Sequence, residues 1–202
     1  VADYMPDVII LHHADTITRE TLGEISRKWP QIKLAHFNVD ALFNQANVDR
    51  IKAISDMVDA TFITTYGPAR QLVKNSDAPI YFVPNPIDSS VETGRAFEHN
   101  GKHDLFITLG RSRIADDPRE AFLQELQANL PKLKLGAFIG GTPECPNGLW
   151  GNAYQSELTN SKCGLNLSRQ KGNFEAREAE RLQLYSSDRI SHYVGNGLLT
   201  FT

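Results

Sequence analysis

The chain has 202 residues, of which 41% are apolar and 22% charged, with a formal charge of -3. These are ordinary figures for a globular protein and allow one large or two small domains. The slightly acidic balance argues against a general nucleic-acid-binding surface, and no apolar run approaches the roughly 20 residues of a membrane-spanning helix. Cys145 and Cys163 are too few and too isolated for a zinc site or a disulfide framework. A reduced, cytoplasmic chain is expected. No signal peptide is read at the start, and both ends read as cut, so a fragment of a longer protein is expected.

In chain order, residues 7–13 form a continuous apolar run that closes on two histidines. Such a run suits a parallel strand buried on both faces. A helix follows over 16–28, with Thr16 or Thr18 as its cap and Trp29-Pro30 as its terminator. A strand is predicted over 32–37. A helix over 47–57 has Val48, Ile51 and Ile54 at helical spacing. Residues 60–64 give a strand, 68–74 a short helix and 79–83 another strand. Strand and helix in alternation mark an open parallel α/β sheet, and such sheets bind ligands beyond the C-terminal ends of their strands. His12, His13, Asp15, Asn38, Asp40, Thr65 and Tyr66 fall at that edge.

Pro84-Asn-Pro-Ile-Asp88 breaks the pattern, because prolines around Asn85 force an extended path. The polar, aperiodic stretch 84–103 reads as a linker. A second alternation then opens: strand 104–109, helix 118–129, strand 133–139, helix 152–160, strand 163–168, a long polar loop to about 184, a short helix, a Gly-Asn-Gly turn and a last strand. The domain expectation is thus 1–83, a linker over 84–103, and 104–202.

Four places carry candidate chemistry. Gly110-Arg-Ser-Arg113 lies between a strand and a helix, where arginines either neutralise a diphosphate or stay solvated. The sequence lacks the full dinucleotide fingerprint and has no Walker A loop. Arg169 and Lys171 follow the 163–168 strand and either add charge at the same edge or form a solvated loop. Ser186-Ser-Asp-Arg189 opens the last helix, where free N–H groups and the dipole favour an anion. Asp188 there either caps the helix or accepts a hydroxyl. Trp150 and Tyr154 either stack on a base or sugar or belong to the core. His12 and His13 point to opposite faces of a strand and make poor co-ligands, and one acid beside Asn38 is a weak match to a metal pair, so no metal is expected.

A Ser-x-Arg helix followed by Gly-x-Gly and an apolar strand (Ser187, Arg189, Gly195, Gly197) resembles the donor-sugar region of group-1 glycosyltransferases. The nearest likeness is to the bacterial spore-maturation-type proteins, which have the two-domain GT-B fold. Leu109-Gly-Arg resembles that family's donor-pyrophosphate turn, and Val83-Pro-Asn-Pro-Ile-Asp88 its interdomain junction. The resemblance implies an α/β, GT-B-like fold of two Rossmann-like parallel-sheet halves, each expected to be part of a fuller unit. It also implies transfer of a sugar from a nucleotide-diphosphate donor to a hydroxyl on a carbohydrate, lipid-linked or protein acceptor. No metal and no cofactor beyond the nucleotide sugar are implied. Arg111 and Arg189, then Lys171 and Arg113, would meet the diphosphate. Tyr185, Ser187 and Asp188 would contact phosphate or sugar, and His13 and Asp40 would face the acceptor. The chain departs from the family at His192, where an acidic residue is usual, and at Pro86, where a glycine is usual. Two other classes stay open: a nucleotide-sugar epimerase, and a non-catalytic nucleotide-binding or assembly module.

Overall fold

The computed structural model describes residues 3–12, 16–42, 44–74, 77–110, 117–168 and 185–202. The chain divides into two compact units. One is Val1–Asn85 with Asn173–Ser187, and the other is Pro86–Gly172 with Asp188–Thr202. Each is a parallel α/β unit with a four-stranded sheet, so the two Rossmann-like halves expected from the alternating pattern are present.

In the first unit the strands β1 (Val8–His12), β2 (Lys33–Asn38), β3 (Ala60–Ile63) and β4 (Ile80–Phe82) lie side by side in sequence order, all parallel. Helices α1 (Arg19–Lys28) and α2 (Gln45–Ile54) and a 3-10 helix (Gly67–Val73) connect them. Thr18 caps α1, its side chain accepting from the Thr21 amide, and the chain leaves the helix at Trp29-Pro30 as the sequence predicts. When every right-handed crossover steps in the same direction, the connections collect on one face of the sheet. The core follows from that. Ile9, Leu11 and Leu34 pack with Leu22 of α1, and Ile63 and Ile80 pack with Val48 and Ile51 of α2. On the opposite face Val8 is 51%, Ile10 64% and Tyr81 50% exposed. The run at 7–13 is therefore buried on one face, where its continuous apolarity predicted two. The strand order explains the difference: no described connection crosses to the second side.

The second unit contains β5 (His103–Leu109), α3 (Pro118–Asn129), β6 (Leu135–Ile139), α4 (Gly151–Thr159), β7 (Ser161–Leu165), α5 (Asp188–Gly195) and β8 (Leu199–Phe201). Its sheet order is β6-β5-β7-β8, again all parallel. The chain steps outward from β5 to β6, then returns past β5 to β7. This reversal puts helices on both faces. Leu123 of α3 packs with Ile107, Leu109 and Leu165 on one side. Leu158 of α4 and Tyr193 of α5 pack with Phe106 and Leu198 on the other.

The stretch expected as a linker is divided and packed. Asn85 closes the first unit. Residues 86–103 are built into the second: Ala96 is a core residue, its amide donates to the Asn196 carbonyl at 2.7 Å, and the Gly94 amide donates to Asn196 Oδ1 at 2.8 Å. The segment lacks apolar period because it is held by main-chain hydrogen bonds and one small core side chain. Asn196 sits in the Gly-Asn-Gly turn that ends α5. There the Leu198 amide reaches the Tyr193 carbonyl and the Gly197 amide the Val194 carbonyl, with Gly197 at φ 81°. This is the double-bonded glycine C-cap the sequence suggests.

Candidate functional site

The reversal of strand order in the second unit makes the C-terminal ends of β5 and β7 a topological switch point, the crevice position of such sheets. This is where open α/β sheets bind ligands. Side chains alternate along a strand, and Phe106 lies beside Gly164 in the sheet register. Thr108 and Asn166, two residues further along, therefore share the face covered by α4 and α5. Asn166 is 6% exposed. Its amide donates to the Phe201 carbonyl at 2.8 Å, but its side-chain Oδ1 has no hydrogen-bond partner among the described residues. A buried acceptor left unpaired costs on the order of 1–3 kcal/mol, so its position at the crevice is notable.

Helix α5 starts at the same edge. Arg189 Nη1 donates to the Thr108 carbonyl at 3.0 Å and Nη2 to the Leu167 carbonyl at 3.1 Å. One planar fork thus ties the ends of β5 and β7 across the crevice. Arg189 is expected from the sequence as an anion ligand; two of its five N–H groups are instead directed at main-chain carbonyls. Asp188 is the first residue of α5, and its Oδ1 accepts from the Arg189 amide at 2.9 Å. The carboxylate takes a helix N-terminal N–H, the capping alternative of the two open for it. Ser187, just before, is 2% exposed.

One turn along α5, His192 Nδ1 lies 2.7 Å from Glu92 Oε1. The Glu92 side chain is 4% exposed, and its other oxygen accepts from the Asp88 amide at 2.9 Å. A carboxylate at Nδ1 places the proton of a neutral imidazole there and leaves Nε2 as an acceptor. The Tyr154 ring on α4 meets His192 edge-on at 5.8 Å and Phe106 at 5.9 Å. Burial first, then the Tyr193 hydroxyl and the Asp188 charge, push the Tyr154 phenol far above its ordinary value, against a lowering influence from Arg189. Burial likewise raises Tyr193. The Tyr154 hydroxyl has no hydrogen-bond partner among the described residues. Thus Asp188, Arg189, His192, Glu92 and Tyr154 are neighbours on the α4/α5 side, and Asn166 lies on the same face of the sheet. Glu92 was invisible in the sequence, since it lies in a segment without period. Asn166 carried a readable signal as a polar residue closing an apolar strand.

The other predicted site residues that are described belong to the first unit. Tyr185 forms an antiparallel bridge with Thr65, and its hydroxyl donates to the Val39 carbonyl at 3.0 Å. The Ser186 amide donates to the Thr64 carbonyl at 2.8 Å. Between two prolines, Asn85 supplies the only amide of its tripeptide. That amide goes to Ser186 Oγ at 3.0 Å, and Asn85 Nδ2 goes to the Ser186 carbonyl at 2.6 Å. The chain at 185–186 is therefore stitched over the C-terminal edge of the first sheet. Asp40 sits in the loop after β2, with one carboxylate oxygen 3.7 Å from the Arg50 guanidinium. The segment from Tyr185 to Arg189, one cluster in the sequence, is divided: Tyr185 and Ser187 belong to the first unit, Asp188 and Arg189 to the second.

His13, Arg111, Arg113 and Lys171 lie outside the described residues. Among the described residues no group of three or more His, Cys, Asp or Glu is placed to hold a metal ion, and no helix is long and apolar enough to cross a membrane. Comparison of the sequence with protein-family models and with curated proteins returns no match.

Proposed function

We propose that the chain binds a nucleoside-diphosphate sugar at the crevice of the second unit and transfers the sugar to an acceptor hydroxyl. The observation that carries the reading is the β5/β7 reversal, with buried, unpaired polar atoms of Asn166 and Tyr154 gathered beside the start of α5. A departing diphosphate gains negative charge. Positive side chains aimed at it in advance lower the barrier without a metal. Arg111, Arg113 and Lys171 supply those charges in this reading, since each follows a strand that ends at the crevice. Arg189 acts mainly by holding the two strand ends in register, and its remaining N–H groups face the same task. His192 Nε2, oriented by Glu92, suits a hydroxyl of the ribose or sugar. Ser187 and Tyr185 act as supports in the first unit. His13 and Asp40 remain the proposed acceptor-side groups.

A specific observation favours a second reading, a binding module without chemistry: Arg189, one of the two main cations expected for the diphosphate, is engaged by carbonyl oxygens. Two measurements separate the readings. Calorimetry of nucleoside diphosphates against nucleosides should show that Arg111→Ala weakens the former far more. The missing charge-assisted bond is worth about 1.5–3 kcal/mol. Equal loss for both ligands removes Arg111 from the phosphate site. Turnover of labelled nucleotide sugars, with and without hydroxyl acceptors, then decides between transferase and module, as binding without turnover leaves only the module.

A further inference from the structure

Trp150 closes the loop between β6 and α4, and it is 76% exposed. A core role, one of the two alternatives for this residue, is excluded by that figure. The indole N–H is nevertheless engaged. Nε1–H donates to the Asn147 carbonyl at 2.8 Å. The turn that makes this possible passes through Gly148 at φ 71°, where a Cβ would stand 2.9 Å from Nε1. The Gly148 amide is itself held by the Cys145 carbonyl at 3.1 Å. An indole whose only polar atom is satisfied locally, and whose surface stays in water, presents an apolar plate that needs no polar partner from a ligand.

Its place in the fold gives the plate a use. The Tyr154 amide donates to the Trp150 carbonyl at 3.3 Å, so Trp150 stands one helical turn before Tyr154. The Tyr154 ring meets His192, and its hydroxyl feels the charges of Asp188 and Arg189. Trp150, at the start of α4, thus stands at the C-terminal edge of the sheet, on the side of α4 and α5.

We propose that Trp150 is the stacking platform for the heterocyclic base of the nucleotide that the second unit binds. This inference rests on the reading of the crevice as a nucleoside-diphosphate site. Every base has a π-face, so the contact supplies affinity without choosing the base. Purines, with the larger face, gain more than pyrimidines. Selection between bases must come from hydrogen-bonding groups elsewhere at the edge.

The test uses the full chain with ADP, UDP and inorganic pyrophosphate as probes, titrated calorimetrically into wild type, Trp150→Ala and Trp150→Phe. Trp150→Ala is expected to weaken ADP and UDP by about tenfold to a hundredfold, the span of base–aromatic stacking, with ADP the more affected. Pyrophosphate binding should not change, and Trp150→Phe should restore most of the loss. A Trp29→Phe background, which leaves Trp150 as the sole indole, should show fluorescence quenching by ADP and none by pyrophosphate. Unchanged ADP and UDP affinity in Trp150→Ala overturns the proposal. So does an equal loss for pyrophosphate, which marks a disturbed loop. If wild type binds pyrophosphate but not the nucleotides, the platform fails while the phosphate site survives. If wild type binds none of the three, the crevice reading itself fails and takes the platform with it.

Discussion

The two units are built from the same alternation of strand and helix and differ at one end. At the N-terminal edges of their sheets they match. In the first, Asp59 accepts from Lys33 Nζ at 2.7 Å and from the Leu34 amide at 2.9 Å. In the second, Asp104 accepts from Lys162 Nζ at 2.7 Å and from the Lys134 amide at 3.1 Å. In each case an aspartate at the start of a strand takes one lysine and one amide; for Asp59 both come from β2, and for Asp104 the lysine comes from β7 and the amide from the residue before β6. At the C-terminal edges they part. The first sheet, in order β1 to β4, has no reversal, and its edge is occupied by Tyr185 and Ser186, which use up the carbonyls of Val39 and Thr64. The second sheet reverses between β5 and β7 and retains unpaired buried polar atoms there. Strand order, more than residue composition, sets the two edges apart.

The largest effect is expected where the second edge is held together. Arg189→Ala removes both carbonyl ties and should lower unfolding stability by about 1.5–3 kcal/mol. Arg189→Lys should recover less than half, because one ammonium cannot span carbonyls on two strands. An unchanged urea midpoint for both would show that the fork does not brace the crevice.

Glu92→Ala should follow, at about 1–3 kcal/mol, since it strips the partner from a part-buried amide and from His192. Glu92→Gln keeps an acceptor for the Asp88 amide and should cost less. In both, nucleoside-diphosphate affinity should drop as His192 loses its orientation. Full affinity in Glu92→Ala would remove this pair from the site.

On the first unit, Tyr185→Phe should cost about 0.5–1.5 kcal/mol of stability, the net worth of a neutral hydrogen bond, and leave nucleotide affinity unchanged. A selective loss of affinity would return Tyr185 to the ligand and erase the contrast between the edges.

The smallest effect concerns the shared end. Hydrogen bonds from the lysine side chain first, and then from the strand amide, hold Asp59 and Asp104 below the ordinary carboxyl value of 3.8. A carboxyl with a lowered folded pKa stabilises the fold above its ordinary pKa, and that contribution fades as pH falls through the lowered value. Asp59→Asn and Asp104→Asn should therefore each show a slight deficit near neutral pH that closes in acid. A deficit that persists below about pH 3 would point to something other than the charge.

Much of this was legible along the chain. Every predicted strand and helix in the described residues exists within a few positions of its reading, because apolar period and caps such as Thr18 are local signals. Strand order was not legible, since pairing depends on residues far apart. For the same reason Glu92 could not be joined to His192, nor Asn85 to Ser186, each about a hundred residues away. The stretch 86–103 read as a linker because main-chain bonds to Asn196 leave no pattern in side chains. Arg189 read as an anion ligand because a sequence shows the charge of a guanidinium but not the carbonyls it meets. Trp150 stood evenly between core and surface until its exposure was known.

Hydrogen–deuterium exchange with and without a saturating nucleoside diphosphate bears most directly on the central claim. The account predicts added protection at 106–110, at 164–168 and in the first turn of α5, with none at 38–42 or 63–66. Protection confined to the first unit's edge, or none at the β5 and β7 ends under saturation, would contradict it.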